Sequence, residues 1–262
     1  MNSTYTITFG DQAENHKGMQ KIGNLSEDGF NEDDLLKIKK YFSDKGANCE
    51  IINIHNYAST ALLATSYAHD VDEAYILVIR NGLNFILNNK GNSDDFYKEQ
   101  CKLTYDTKAF MYGRVVNKKA RSNLCFGNNH QQANYEEGKG TIIDFNSVPL
   151  LNYVRLELEK IIGDKAKELV AEGNYYYDTN SCGIGYHGDS ERRKVIAVRV
   201  GSTIPLVYHW FYKSNSIGTE LKINLNHGDV YIMSEKAVGQ DWKLKNTPTL
   251  RHAAGAEKFY KL

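Results

Sequence analysis

Proline is nearly absent from this chain: Pro149, Pro205 and Pro248 are the only three in 262 residues. That excludes Pro-rich linkers and extended proline helices. The four cysteines, Cys49, Cys101, Cys125 and Cys182, stand far apart and none forms a CxxC pair. Zinc-ribbon and thioredoxin-type readings fall away, and free thiols in a reducing intracellular compartment are expected. No run of about 18 apolar residues occurs. The opening Met1-Asn2-Ser3-Thr4-Tyr5 lacks the basic and apolar segments of a secretory signal, so no membrane partner is expected. Lys+Arg and Asp+Glu balance at 32 each, which leaves no global charge to draw the chain to nucleic acid or lipid, although local patches stay open. There is no internal repeat or low-complexity tract, and nothing points to an oligomeric state.

What the chain does have is tyrosine, 18 residues, with a run at Tyr175-Tyr176-Tyr177. Its length and ordinary apolar content allow one large or two modest domains. The β-rich residues 4–9 read as a strand. Residues 33–42 place Leu35, Leu36, Ile38, Tyr41 and Phe42 at helical spacing, with acids leading and lysines following. Residues 49–54 and 74–79 read as strands, and Asn81-Gly82 predicts a turn into a hairpin strand over 83–87. The polar stretch 88–95 reads as a connector. Residues 1–95 are thus expected to form a small α/β region, and 96–262 a second unit. In that unit a helix is predicted over 152–162, then short strands near 175–177, 195–200, 204–211, 221–225, 230–233 and 249–253. Strand-rich sequence of this kind predicts a sandwich or barrel.

The stretch Gly183-Ile184-Gly185-Tyr186-His187-Gly188-Asp189-Ser190-Glu191 holds a His-x-Asp pair. In extended backbone, residues i and i+2 share a face, so an imidazole and a carboxylate can converge on one metal. One more histidine would complete the two-histidine, one-carboxylate face of non-haem Fe(II) oxygenases. His209 lies in an aromatic run and His227 at a turn. His252 is followed by Ala253-Ala254-Gly255, which leaves room for a ligand, and is the favoured third donor. Such iron centres commonly use 2-oxoglutarate with O2, and its far carboxylate needs a cation. Lys261 is the first candidate. Arg251 neighbours His252 but would face the other way in a strand, and Lys258 and Arg199 are further options.

These residues resemble the AlkB-like family of Fe(II)/2-oxoglutarate dioxygenases, which shows an Asn-x-Tyr pair, a short turn, and then Ile-Gly-x-His-x-Asp-x-Glu. The signature is matched at 184–191. The pair is set against Tyr175 and Tyr177, so the resemblance gives Tyr177 a contact to 2-oxoglutarate. Two departures stand out. The distal histidine does not follow soon after a tryptophan-containing turn at Trp242, and of the family's two closing arginines either Lys261 replaces one, or Arg251 is the last and His252 is not the ligand. The resemblance implies an α+β fold with a double-stranded β-helix (jelly-roll) core and flanking helices over about 105–262. It implies a chain that hydroxylates or oxidatively demethylates a nucleobase in nucleic acid.

Arg114, Lys118, Lys119 and Arg121 carry four positive charges without an acid between them and could grip phosphates. Glu191, Arg192 and Arg193 could line the substrate mouth. A nucleobase substrate would be single-stranded or flipped from a duplex. Two alternatives stay open: a protein or small-molecule hydroxylase on the same scaffold, and a non-catalytic binding protein with a decayed metal site.

Overall fold

A computed structural model describes residues 2–58 and 73–262. In chain order it contains β1 (Thr4–Gly10), β2 (Gln12–Glu14), β3 (Lys21–Gly23), α1 (Glu32–Asp44), β4 (Cys49–Asn53), β5 (Tyr75–Ile79), α2 (Gly82–Leu87), α3 (Ser93–Cys101), β6 (Lys108–Met111), β7 (Arg114–Asn117), β8 (Ser122–Gly127), β9 (Ile142–Asp144), α4 (Pro149–Ile162), β10 (Val170–Tyr176), β11 (Gly183–His187), β12 (Val195–Gly201), β13 (Ile204–Tyr212), β14 (Asn215–Leu225), β15 (Val230–Met233), α5 (Glu235–Val238) and β16 (Thr249–Gly255). Local chemistry sets several boundaries. The Asn31 side chain accepts the Asp34 N–H at 3.0 Å while Asp34 accepts the Asn31 N–H at 3.0 Å, a reciprocal cap that starts α1.

Two facing sheets dominate this α+β architecture. The larger runs β4-β5-β15-β12-β1-β10-β8-β9, and the smaller runs β11-β16-β13-β14. All neighbours are antiparallel except β8 and β9. No barrel closes among the described residues. Alternation sorts the large sheet's side chains into two cores. Tyr5, Ile7, Phe9, Leu77, Ile79, Ile196, Val198, Val230 and Ile232 pack with Leu35, Ile38, Leu83, Phe96, Leu151, Val154 and Leu158 of the helices. Ile76, Val78, Val195, Ala197, Tyr231 and Met233 face the small sheet, against Leu206, Tyr208, Trp210 and Leu250. Trp210 is fully buried there, and its indole N–H donates to the Ile54 carbonyl at 3.0 Å. The order is helices, large sheet, small sheet.

The structure departs from the sequence expectations in three places. The N-terminal residues, expected as a small α/β region preceding the rest, contribute β1, β4 and β5 to the large sheet, with β1 inserted between β12 and β10. Residues 83–87 are helical rather than a hairpin strand, because Leu83, Ile86 and Leu87 sit at helical spacing. Gly82 also packs so closely on Ile79 that a Cβ would meet its Cγ2 at 2.9 Å. The connector at 88–95 includes the start of α3, whose first turn the Asn92 side chain caps through the Asp95 N–H.

Between the sheets the apolar packing gives out toward β1 and β10. The inward residues there are Thr6 and Thr8 of β1 and Glu172, Asn174 and Tyr176 of β10. They line a cavity of about 620 Å³ that opens beneath β11 and β16, within the usual size range of ligand pockets.

Candidate metal centre

His187 and His252 are direct cross-strand partners of β11 and β16, and a β-bulge between Ile184 and His187 turns the end of β11. Asp189 follows two residues on and is held by its N–H to the Val238 carbonyl at 3.0 Å. His187 Nε2 lies 3.5 Å and His252 Nε2 3.8 Å from Asp189 Oδ1. The ligand atoms of all three residues fall within 4.8 Å of one another. Bonds of about 2.1 Å meeting at right angles would hold such atoms roughly 3 Å apart, so a modest contraction closes them around one ion.

The protonation states suit metal binding. A carbonyl can only accept, so His187 Nδ1 donates to the Gly185 carbonyl at 2.8 Å, which turns Nε2 toward the site. His252 is buried, and burial holds its imidazolium well below the ordinary histidine range, with His187 and Arg192 adding to the effect. The Ala237 carbonyl opposes this, but Nδ1 makes no full hydrogen bond and the neutral ring prevails.

Gly188 explains why the motif admits no side chain at its centre. A Cβ there would stand 2.0 Å from the Gly239 carbonyl oxygen and 2.8 Å from the Trp242 Cβ. The turn after α5 therefore braces the backbone between the two ligands. Trp242 stands at the cavity mouth, with Lys17 from the β2–β3 hairpin over its ring at 5.2 Å.

Two buried arginines face the cavity and differ in their surroundings. Arg192 is paired with Glu172 and with Glu191 at 2.8 Å, and lies 3.9 Å from Asp189 Oδ2. Arg199 of β12 is 1% exposed, and its Nε and Nη1 reach no acceptor among the described residues. Burial pushes its pKa down, only partly offset by Tyr231, Tyr176 and Asp229. Asp229 is itself engaged by Arg80 at 2.7 Å. Nearby, the Thr6 hydroxyl and the Tyr208 phenol are also buried without partners.

The other expected residues divide. Arg121 and Glu191 line the cavity, and Arg121 Nε donates to Asn174 Oδ1 at 2.6 Å. Lys118 is turned inward, donating to Asn15 Oδ1 at 2.7 Å and Asn123 Oδ1 at 3.0 Å, and burial pushes its pKa down to about 8. Arg114 and Lys119 are exposed, outside the cavity lining. Arg193 turns away to Glu235. The cofactor candidates are not brought together. Lys261 is exposed and outside the lining. Arg251 points to the far face of β16 and stacks on Phe211 at 4.2 Å. Tyr177 is 44% exposed and donates to the Lys119 carbonyl at 2.7 Å. The cavity instead holds Asn174 and Tyr176, so the Asn-x-Tyr order is met one residue earlier, at Asn174-Tyr175-Tyr176. Of the alternative histidines, His209 packs against Tyr186 and Phe211. His227 Nδ1 accepts the Gly201 N–H at 2.9 Å, a turn-fixing contact.

An uncharacterized protein of Acanthamoeba polyphaga mimivirus is 52% identical to the chain over 258 residues, covering 98% of each. The chain belongs to the family of that mimivirus protein. No family model matches it.

Proposed function

We propose that the protein is an Fe(II)/2-oxoglutarate-dependent oxygenase of the AlkB-like kind, with its two facing sheets read as a double-stranded β-helix. The observation that carries this reading is one cavity in which two histidines and an aspartate converge beside a buried arginine whose Nε and Nη1 have no acceptor among the described residues. The donor set suits Fe(II): two imidazoles and one carboxylate on one side leave the other positions open. His187, Asp189 and His252 would hold the iron. Arg199, with Thr6 and Tyr176 beside it, would take the distal carboxylate of 2-oxoglutarate. Iron and 2-oxoglutarate, when bound, would supply the electrons that activate O2 to hydroxylate a C–H bond, with succinate and CO2 as co-products.

The chain's own residues account for the rest. Val195, Leu206 and Met233 line the inner wall and keep water from the reacting centre. Arg192 balances Glu172 and Glu191, so the carboxylates around Asp189 do not repel it from its position. At the mouth stand Lys17, Lys21, Arg121, Lys243 and Trp242, and none of these four cations forms a salt bridge among the described residues. Unpaired cations around an aromatic ring suit a planar group carrying phosphate, which supports a nucleobase in nucleic acid as substrate. The test is His187→Ala and Asp189→Ala. Each is expected to lose Fe(II) binding and 2-oxoglutarate-dependent succinate formation while keeping the wild-type circular dichroism spectrum. Succinate formation at the wild-type rate by either variant overturns the assignment.

A further inference from the structure

Tyrosine is concentrated along one path. On the cavity side, the Tyr208 ring lies 5.8 Å from the His252 ring. Tyr208, Tyr231 and Tyr176 are buried; Tyr208 and Tyr231 belong to the same core, and Tyr231 and Tyr176 both line the cavity. Strand β10 then carries the path through the sheet, because consecutive residues face opposite sides: Tyr176 faces the cavity and Tyr175 the helices. Tyr175 stacks on Tyr5 at 4.4 Å with only 12° between planes. Tyr5 also contacts Tyr105 at 5.3 Å and Tyr97 at 5.6 Å. The Tyr5 hydroxyl approaches Cys101 Sγ at 3.8 Å, and Cys101 is exposed at the end of α3. Phenylalanine would fill this space without the cost of burying phenols.

We propose that these tyrosines form an electron-transfer file that ends at Cys101 and drains the oxidising equivalent left in the cavity when O2 is reduced without a substrate in place. The inference rests on the oxygenase reading. Each step moves one electron inward from the next ring, and the proton of the oxidised phenol passes to the solvent of the cavity that Tyr231 and Tyr176 line, to be taken back when the electron is replaced. In the last step the Tyr5 phenoxyl takes a hydrogen atom from the Cys101 thiol, which restores tyrosine and leaves a thiyl radical. Two such passes deliver two electrons and two protons, so the surplus oxygen atom ends as water. The two sulfur radicals are returned by a small-molecule thiol as a disulfide. Without that thiol, Cys101 climbs the ladder to sulfinic and sulfonic acids.

The experiment exposes protein loaded with Fe(II) and 2-oxoglutarate to O2, with neither substrate nor thiol. Tyrosyl radical is read by freeze-quench electron paramagnetic resonance and Cys101 oxidation by peptide mass spectrometry, each normalised to oxygen uptake. The expected result is a radical signal and Cys101 as the dominant oxidised residue. Tyr5→Phe and Tyr175→Phe, which keep the rings, should lower Cys101 oxidation at least fivefold at equal uptake and shift damage to residues around the cavity. Cys101→Ser should prolong the radical signal. Equal Cys101 oxidation in wild type and both phenylalanine variants overturns the file alone. Absence of Fe(II)-dependent oxygen uptake overturns the oxygenase reading and the file with it.

Discussion

Replacing Arg199 by methionine should move stability and ligand response in opposite directions. In the ligand-free protein, the Arg199 Nε and Nη1 donors are buried without acceptors among the described residues. Such groups cost about 1–3 kcal/mol each, and a buried charge without a partner adds to that. Methionine fills a similar volume without the charge, so Arg199→Met should raise the melting temperature of the ligand-free protein. Taking the low end, about 2 kcal/mol for the two donors, at about 2–4 °C per kcal/mol for a domain of this size the rise is at least about 4–8 °C. The ligand response should reverse. A ligand at 100 times its Kd stabilises by about 2.7 kcal/mol, a shift of about 5–10 °C. Losing a buried charge-assisted contact costs about 2–5 kcal/mol, which weakens binding at least about 30-fold and leaves less than about 1 kcal/mol of stabilisation at the same concentration. The assay is thermal unfolding with Mn(II), which holds the site without turnover, with and without 2-oxoglutarate. A variant that is less stable than wild type and keeps its full ligand shift would show that Arg199 is a packing residue.

Gly188→Ala should destabilise the protein by about 1–3 kcal/mol and weaken Mn(II) binding at least tenfold, since its Cβ would meet the Gly239 carbonyl at 2.0 Å; Gly185→Ala, whose Cβ would find its nearest atom at 3.6 Å, is the control that should change neither urea midpoint nor metal titration. Lys118 gives a pH signature. Its pKa falls from 10.5 to about 8 on folding, so between those values the folded chain binds fewer protons than the unfolded one and stability must rise with pH. Relative to Lys118→Met, the wild type should gain about 3 kcal/mol from pH 8 to 10.5, and a flat difference in urea unfolding across that window would refute the burial of its charge. Tyr176→Phe should weaken 2-oxoglutarate binding to the Mn(II)-loaded protein roughly 10- to 150-fold, as expected for losing a hydrogen bond of about 1.5–3 kcal/mol to a charged group. Tyr177→Phe should leave it unchanged, and equal losses would return the role to Tyr177.

The parts of the fold legible in sequence were those decided locally. Residues 4–9, 49–54, 195–200 and 230–233 were read as strands because β-rich residues run unbroken there, and the structure places β1, β4, β12 and β15 over them. The α1 helix was equally clear from its acid-first charge order and apolar spacing. Residues 83–87 failed because five residues cannot separate a helical from a strand period. The insertion of β1 between β12 and β10 was invisible for a different reason. Thr6 meets Arg199 and Asn174 across gaps of more than 160 residues, and no local pattern encodes which distant strands pair.

The same contrast governs the site. His187 and Asp189 could be found because their convergence follows from a spacing of two, whereas the anion partner was sought by counting residues from His252, which led to Lys261. Register, not sequence distance, decides that question: Thr6 pairs with Arg199 on one side and Asn174 on the other, so a β12 residue and a β10 residue share the cavity floor. The one-residue slip at the tyrosine run has the same origin, since a shift of one exchanges the two faces of a strand and turns a cavity phenol into an exposed one. The two buried arginines then constrain function more tightly than the motif does. Around Arg192 the fold gathers three carboxylates within 4.0 Å, so it can neutralise a cation between these sheets. Around Arg199, on the same sheet, it gathers two tyrosines, a threonine and no free acid. Arg192 spends its donors on carboxylates of the fold, whereas Arg199 has Nε and Nη1 donors with no acceptor among the described residues, and these are what the proposed function would offer to an anion.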